Sequence, residues 1–350
     1  MKKLFFLSLL LPLALLAQPK AGYYNTAVGK SDAALKTQLY SIISTGTTDV
    51  GYAGLYTIYP TSDKTADDKV WDMYSTCTWT HGVAKCGNYV NVCDCYNREH
   101  SIPQSWFNEA SPMVSDAHHI YPTDGKVNGQ RSNFPFGECT TGTTLSKGKG
   151  RLGSSTFSGY SGTVFEPDDE FKGDFARTYF YFTTRYMNTN GTSSSTVGSV
   201  FGSTFGSINT WAVDLFLKWS RQDPVSIKET TRNNAIEVYQ KNRNPFIDHP
   251  ELAEFIWGTR KGEPWSLTSA VDELKVEFSI SPNPVQNELT IKSDETNLSY
   301  SIYSLNGQTL QEEQLNLGRT ISVNELENGM YLLQLKTGNR KSIQKFIVSK

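Results

Sequence analysis

The sequence predicts an α+β protein in two parts: a larger, mainly helical region holding a short strand–loop–strand–helix element, then a small all-β sandwich. Three observations predict this. Apolar residues between 168 and 258 recur at the helical spacing of three and four. From Val276 the pattern becomes short runs separated by Asn306-Gly307, Asn328-Gly329 and Thr337-Gly338-Asn339, which mark hairpins. A chain of 350 residues also exceeds what one core usually serves.

The elements follow in order. Lys2-Lys3, the apolar run Leu4–Leu16 and the small residues before Gln18 form a signal peptide over 1–17. The run is too short for a membrane span, which needs about 20 apolar residues. No later stretch is apolar enough to cross a bilayer, so the mature chain is expected to be a soluble exported protein. Residues 31–40 form a helix with Ser31 or Asp32 as N-cap. Tyr52, Tyr56, Tyr59, Trp71 and Tyr74 are read mostly as core.

Residues 140–162, rich in Gly, Ser and Thr, read as a loop or flap. A helix spans 168–188, with Phe171, Phe175, Thr178, Tyr179 and Phe182 on one face and Asp168-Asp169 at its positive end. Further helices fall at 211–221, 231–241 and 250–258, and Asn244-Pro245 breaks the pattern between the last two. The larger domain occupies 18–262, a linker 263–275, and the sandwich 276–350. Sandwich strands are expected at 277–280, 288–293, 299–305, 331–336 and 342–348.

Export decides how the five cysteines read. Cys77, Cys86, Cys93 and Cys95 lack the C-x-x-C pairs of a zinc site and are expected in disulfides, leaving one of the five thiols over. A net charge of −2 and a pI near 6.2 exclude a global basic footprint, though a local patch can still bind nucleic acid.

The chemistry concentrates in Arg98-Glu99-His100 and in residues 116–133, which hold three of the five histidines. A neutral imidazole can take a proton from water, and a carboxylate is a hard ligand for Mg2+ or Ca2+. Neighbours on a regular strand face opposite ways, so Glu99 and His100 can share one site only if the strand ends or bends, as Pro103 suggests. A strand over 116–121 and a helix over 125–133 would then present Asn128 as a second oxygen ligand. Arg131, three residues on, could meet a phosphate. Asp116 either holds an imidazole or caps the strand end. Of His118 and His119, one supports the site and the other packs or is exposed. His81 and His249 carry no chemistry, and His249 helps start the last helix.

The segment 98–106 with 116–133 resembles the bacterial endonuclease I family, secreted or periplasmic nucleases with a ββα-metal (His-Me) finger. Similarity extends to Phe165-Glu166-Pro167, to 172–177 and to 242–246, and coverage runs from about 25 to 260. The resemblance implies that His100 is the general base and that Glu99 and Asn128 ligate one Mg2+, with Ca2+ or Mn2+ as alternatives. It implies cleavage of DNA, and of RNA, through backbone contacts without sequence preference, leaving 5′-phosphate ends. Some relatives carry an arginine in the loop between the strands. Residues 104–115 contain neither Arg nor Lys, which leaves Arg131 or Arg177 as the candidate cation. For Arg177 a structural ion pair is the competing, favoured reading.

Residues 281–284, 326–331 and 345–350 resemble the C-terminal sorting domain of the type IX secretion system. That implies export through this machinery, with the chain secreted or held at the cell surface. Two other functions compete with the endonuclease. A catalytically inactive surface-binding or adhesion protein would retain the fold but not need Glu99, His100 and Asn128. A zinc hydrolase would need a motif such as H-E-x-x-H, and none occurs.

Overall fold

A computed structural model describes residues 19–144, 149–189, 197–202, 206–267, 276–304, 309–315, 319–338 and 340–350. The signal segment 1–17, the turn at 306–307 and most of the linker lie outside the described residues. The chain divides into two units, one ending at Ser266 and the other beginning at Leu267.

Helix α1 (Asp32–Ser44) follows the N-cap Ser31, whose hydroxyl makes no capping bond, and runs one turn beyond Tyr40. Leu35, Leu39 and Ile43 form its buried face. Helix α2 (Gly51–Ser62) escapes a propensity reading because Gly51, Gly54 and Pro60 all weaken it. Burial of Leu55, Ile58 and Tyr59 overrides that weakness.

Strand β1 (Tyr96–His100) pairs antiparallel with β2 (Ile120–Asp124), Glu99 lying opposite Tyr121. The strand expected over 116–121 starts late. Ala117–His119 is a 3-10 turn instead, capped by Asp116, whose carboxylate accepts the His118 N–H at 3.0 Å. A short polar side chain that bonds nearby backbone competes with the sheet ladder. Helix α3 (Gly125–Arg131) follows directly, and Asp124 caps it by accepting the Val127 N–H.

The expected flap is partly a sheet. Strands β3 (Gly142–Thr144), β4 (Arg151–Ser154) and β5 (Thr163–Glu166) form it in the order β3-β4-β5. Glycine permits this pairing, since a Cβ on Gly153 would lie 2.2 Å from the Thr141 carbonyl oxygen. The glycines that read as loop are what let the strands approach.

Helix α4 (Lys172–Arg185), preceded by a 3-10 turn over Asp169–Phe171, is buried at every position from Gly173 to Thr184. A single apolar face was too narrow an expectation for a helix enclosed by α1, α6, α8 and the Ala117–His119 turn. Helices α5 (Val197–Val200), α6 (Thr210–Gln222) and α7 (Ile227–Gln240) come next. Helix α7 begins a turn before Thr231 because Ser226 and Glu229 form a capping box. Asn244-Pro245 starts a helix rather than only interrupting one: Asn244 caps α8 (Pro245–Asp248) with proline in the first turn. Helix α9 (Leu252–Ile256) closes the unit, and His249 accepts the Leu252 N–H through its carbonyl.

Buried arginines lock these layers. Arg232 reaches Asp63 at 2.8 Å and also bonds the carbonyls of Ala117 and Ile120, fixing the entry to β2. Disulfides join Cys77 to Cys93 and Cys86 to Cys95, and Cys139 is the free, buried thiol. No helix among the described residues is long and apolar enough to cross a membrane.

The second unit has strands β6 (Ser279–Ser281), β7 (Glu288–Lys292), β8 (Ser299–Ser304), β9 (Thr309–Gln314), β10 (Thr320–Ser322), β11 (Gly329–Thr337) and β12 (Arg340–Val348). They make a three-stranded sheet, β10-β7-β6, and a four-stranded one, β12-β11-β8-β9. Leu289, Ile291, Ile302, Leu333, Leu335 and Phe346 are among the residues filling their common core. The sequence pattern misses β9 and β10. Strand β9 is almost wholly exposed and its TLQEEQ run has no apolar alternation, so partner pairing alone defines it.

Candidate active site

Antiparallel pairing of β1 with β2 places the end of β1 beside the first turns of α3, over a cavity of about 350 Å³. Asn97, Arg98, Glu99, His100 and Asn128 all line it. Strand β1 stops at His100, so Glu99 and His100 escape strict alternation and both reach the cavity.

Glu99 is 2 % exposed. The Tyr74 hydroxyl donates to its Oε1 at 2.7 Å, and the Arg131 guanidinium donates to the same oxygen at 2.9 Å. Its other oxygen, Oε2, has no partner among the described residues. Burial pushes the Glu99 carboxyl above its usual range, while Arg131 and then Tyr74 oppose the shift.

Asn128 shows the same division. Its amide nitrogen donates to the Asn97 side-chain oxygen at 2.8 Å, which turns its own Oδ1 away from that contact and leaves it without a partner among the described residues. Asn97 and Glu99 are two apart on β1 and therefore share a face. Two hard oxygen atoms from two elements are left available at one cavity.

His100 donates from Nε2 to the Val114 carbonyl at 3.1 Å. A carbonyl can only accept, so Nε2 carries the hydrogen and Nδ1 keeps its lone pair in the neutral ring. Nδ1 has no partner among the described residues. Burial, with nearby His119 adding to it, pushes the His100 imidazole down to about 3.

The supporting residues separate clearly. His119 meets the His100 ring edge-on at 5.7 Å and donates from Nε2 to the Met113 carbonyl. His118 packs on Tyr181 at 4.7 Å and donates to the Asn242 carbonyl. Asp116 forms no hydrogen bond to an imidazole. It caps the turn and accepts from Tyr181, Tyr186 and Gln240.

Both sequence candidates for the phosphate cation are engaged by other groups, Arg177 in the structural ion pair that is its favoured reading. Arg131 is 1 % exposed, and its guanidinium bonds Glu99 and the carbonyls of His100 and Ser101. It lines the cavity, but these three bonds engage its charge, so it braces Glu99. Arg177 is buried in a two-point ion pair with Glu229, at 2.6 and 2.8 Å, and does not line the cavity. Arg98, like Arg131, lines it, partly exposed and without a carboxylate partner among the described residues, held by the Tyr52 carbonyl at 2.8 Å.

Residues 31–251 match the family described as Endonuclease I, and residues 279–349 match the Secretion system C-terminal sorting domain. The chain belongs to the endonuclease I family. It is similar to the extracellular ribonuclease of Bacillus amyloliquefaciens, with 38% identity over 241 residues, 67% of this chain and 78% of that one. The extracellular ribonuclease of Bacillus subtilis (strain 168) is 36% identical over 256 residues, 71% of this chain and 83% of that relative. The periplasmic deoxyribonuclease of Aeromonas hydrophila is 29% identical over 140 residues, 40% of this chain and 50% of its own. This member of the family is therefore a nuclease, a hydrolase acting on nucleic acid, and its sorting domain marks it for secretion or the cell surface.

Three residues at this candidate site were given no role of their own from the sequence. Tyr74 comes from 25 positions before Glu99 and carries no local signal. Asn97 has one: it lies two positions before a candidate ligand on a strand, so it shares that ligand's face. Arg98 stands inside the motif itself, and only the engagement of Arg131 and Arg177 singles it out.

Proposed function

We propose that this endonuclease I is a metal-dependent, sequence-nonspecific endonuclease that hydrolyses phosphodiester bonds in DNA and RNA to 5′-phosphate products. The β1–β2–α3 unit is read as a ββα-metal (His-Me) finger. One observation carries the proposal: His100 Nδ1, Glu99 Oε2 and Asn128 Oδ1, all without partners among the described residues, belong to residues lining one cavity.

The two free oxygens fit a hard divalent ion such as Mg2+, with Ca2+ or Mn2+ as alternatives, and the cysteine lining the cavity, Cys86, is held in a disulfide and offers no thiolate. Glu99 and Asn128 would hold the ion, which when bound supplies Lewis-acid stabilisation of the phosphate and of the leaving oxygen. His100 takes a proton from the attacking water at Nδ1, and the Val114 carbonyl keeps the ring in the tautomer that allows it. Arg98 balances the phosphate charge. Arg131 and Tyr74 hold Glu99 so that Oε2 faces the cavity, and Asn97 does the same for Asn128. Contacts of this kind address the backbone, which favours cleavage without base preference. The ribonuclease and deoxyribonuclease names of its relatives agree with a site that reads phosphate.

The test is conversion of supercoiled plasmid, and of a labelled RNA, by the purified mature protein. Cleavage with Mg2+ should stop with EDTA, and His100→Ala should slow it by about 10²- to 10⁴-fold, the usual share of a general base. Cleavage unaffected by EDTA, or His100→Ala acting at the wild-type rate, overturns the assignment.

A further inference from the structure

Tyr52 and Tyr56 lie one turn apart on α2 and share a face. The Arg98 guanidinium sits 3.4 Å from the centre of the Tyr52 ring and 4.6 Å from that of Tyr56, bridging the two. The Lys85 ammonium lies 4.9 Å from the centre of the same Tyr56 ring. Two cations are thus gathered on one tyrosine, within about one Debye length at 0.1 M salt, ~10 Å.

Neither cation has a carboxylate partner among the described residues, and the Lys85 ammonium has no hydrogen-bond acceptor there either. Other arginines of this unit behave differently: Arg131, Arg177, Arg232 and Arg243 each face a carboxylate. Aromatic faces attract cations but do not cancel their charge. Two like charges held close repel unless an anion joins them. Arg98 and Tyr52 line the cavity, as does Cys86, and the exposed Lys85 stands next to Cys86 in the chain.

We propose that Lys85, held on Tyr56 beside Arg98, binds the phosphate adjoining the scissile one in a nucleic-acid backbone. The inference rests on the nuclease reading above and narrows its substrate class. Strands with consecutive phosphates are preferred over a dinucleotide with one.

The experiment measures binding to the full chain in EDTA, where cleavage is absent, by fluorescence anisotropy. Its probes are a labelled single-stranded octanucleotide and a labelled dinucleotide, each from 50 to 200 mM NaCl. Lys85→Ala should weaken octanucleotide binding roughly threefold or more, and flatten the log–log salt slope by about 0.7, one phosphate contact on a single strand. The octanucleotide-to-dinucleotide preference should fall with it. Lys85→Arg should restore the slope, and Lys261→Ala, an exposed lysine elsewhere, should match wild type. A wild type that cuts plasmid while Lys85→Ala keeps affinity and slope overturns the Lys85 site alone. A wild type that neither binds the octanucleotide nor cuts plasmid overturns the nuclease reading and this inference with it.

Discussion

Removing the Arg131 guanidinium tests whether that residue braces Glu99 or binds substrate. In Arg131→Met the Glu99 carboxylate keeps only the Tyr74 hydroxyl, the His100 carbonyl loses the guanidinium, and the Ser101 carbonyl keeps only the Tyr179 hydroxyl. Breaking one side of a buried ion pair costs about 3–5 kcal/mol, because the remaining charge stays out of water. The bonds lost at the two carbonyls add to this, less than additively since all three bonds share one group. A total near 4 kcal/mol corresponds to a melting point lowered by roughly 8–16 °C for a unit of this size. The assay is thermal unfolding followed by circular dichroism at pH 7 in EDTA. Glu99→Gln added to Arg131→Met should recover ~1 kcal/mol or more, because no unpaired buried charge remains. A single variant that melts within 2 °C of wild type, as a surface phosphate-binding arginine would by roughly the cost of an exposed substitution, refutes the bracing role. So does a double variant no more stable than the single one.

Three further predictions follow from the geometry. Asn97→Ala frees the Asn128 amide to rotate and should raise the Mg2+ concentration for half-maximal cleavage about 10- to 100-fold, with the melting point little changed; an unaltered Mg2+ titration counts against the positioning. Replacing Cys77 and Cys93 by serine removes a link between residues 16 apart and should cost about 3 kcal/mol, measured by urea unfolding; an unshifted midpoint counts against that link as a stabiliser. The third concerns acid. Burial holds the His118 and His119 imidazoles down at about 4, with Asp116 opposing both shifts and Arg232 reinforcing them. Both are neutral in the folded protein, so the unfolded chain takes up protons first. Their contribution is intact above the ordinary histidine value near 6.5 and is lost as pH falls from about 6.5 toward 4. Melting points should decline across that window, and a flat profile from pH 7 to 4.5 contradicts the buried neutral assignment.

By itself the sequence determined the division into a helical unit and a β unit, the principal helices, and a cluster of imidazole, carboxylate and amide side chains on a strand–strand–helix element. Those properties are local: periodicity, turn residues and motif spacing are written in neighbouring positions. Helix α2, the β3-β4-β5 sheet and strand β9 were not legible, since each runs against its own composition and is held by partners distant in the chain. Only the tertiary structure decided what each charged group faces. Arg98, Arg131 and Arg177 read alike as letters, yet Arg98 lines the cavity facing no carboxylate among the described residues, Arg131 lines it paired with Glu99, and Arg177 is buried against Glu229. The orientation of Glu99 Oε2, Asn128 Oδ1 and His100 Nδ1 was settled the same way, by Tyr74, Asn97 and the Val114 carbonyl. A side chain's identity fixes which bonds it can make; which atom remains free depends on the groups that folding brings against it.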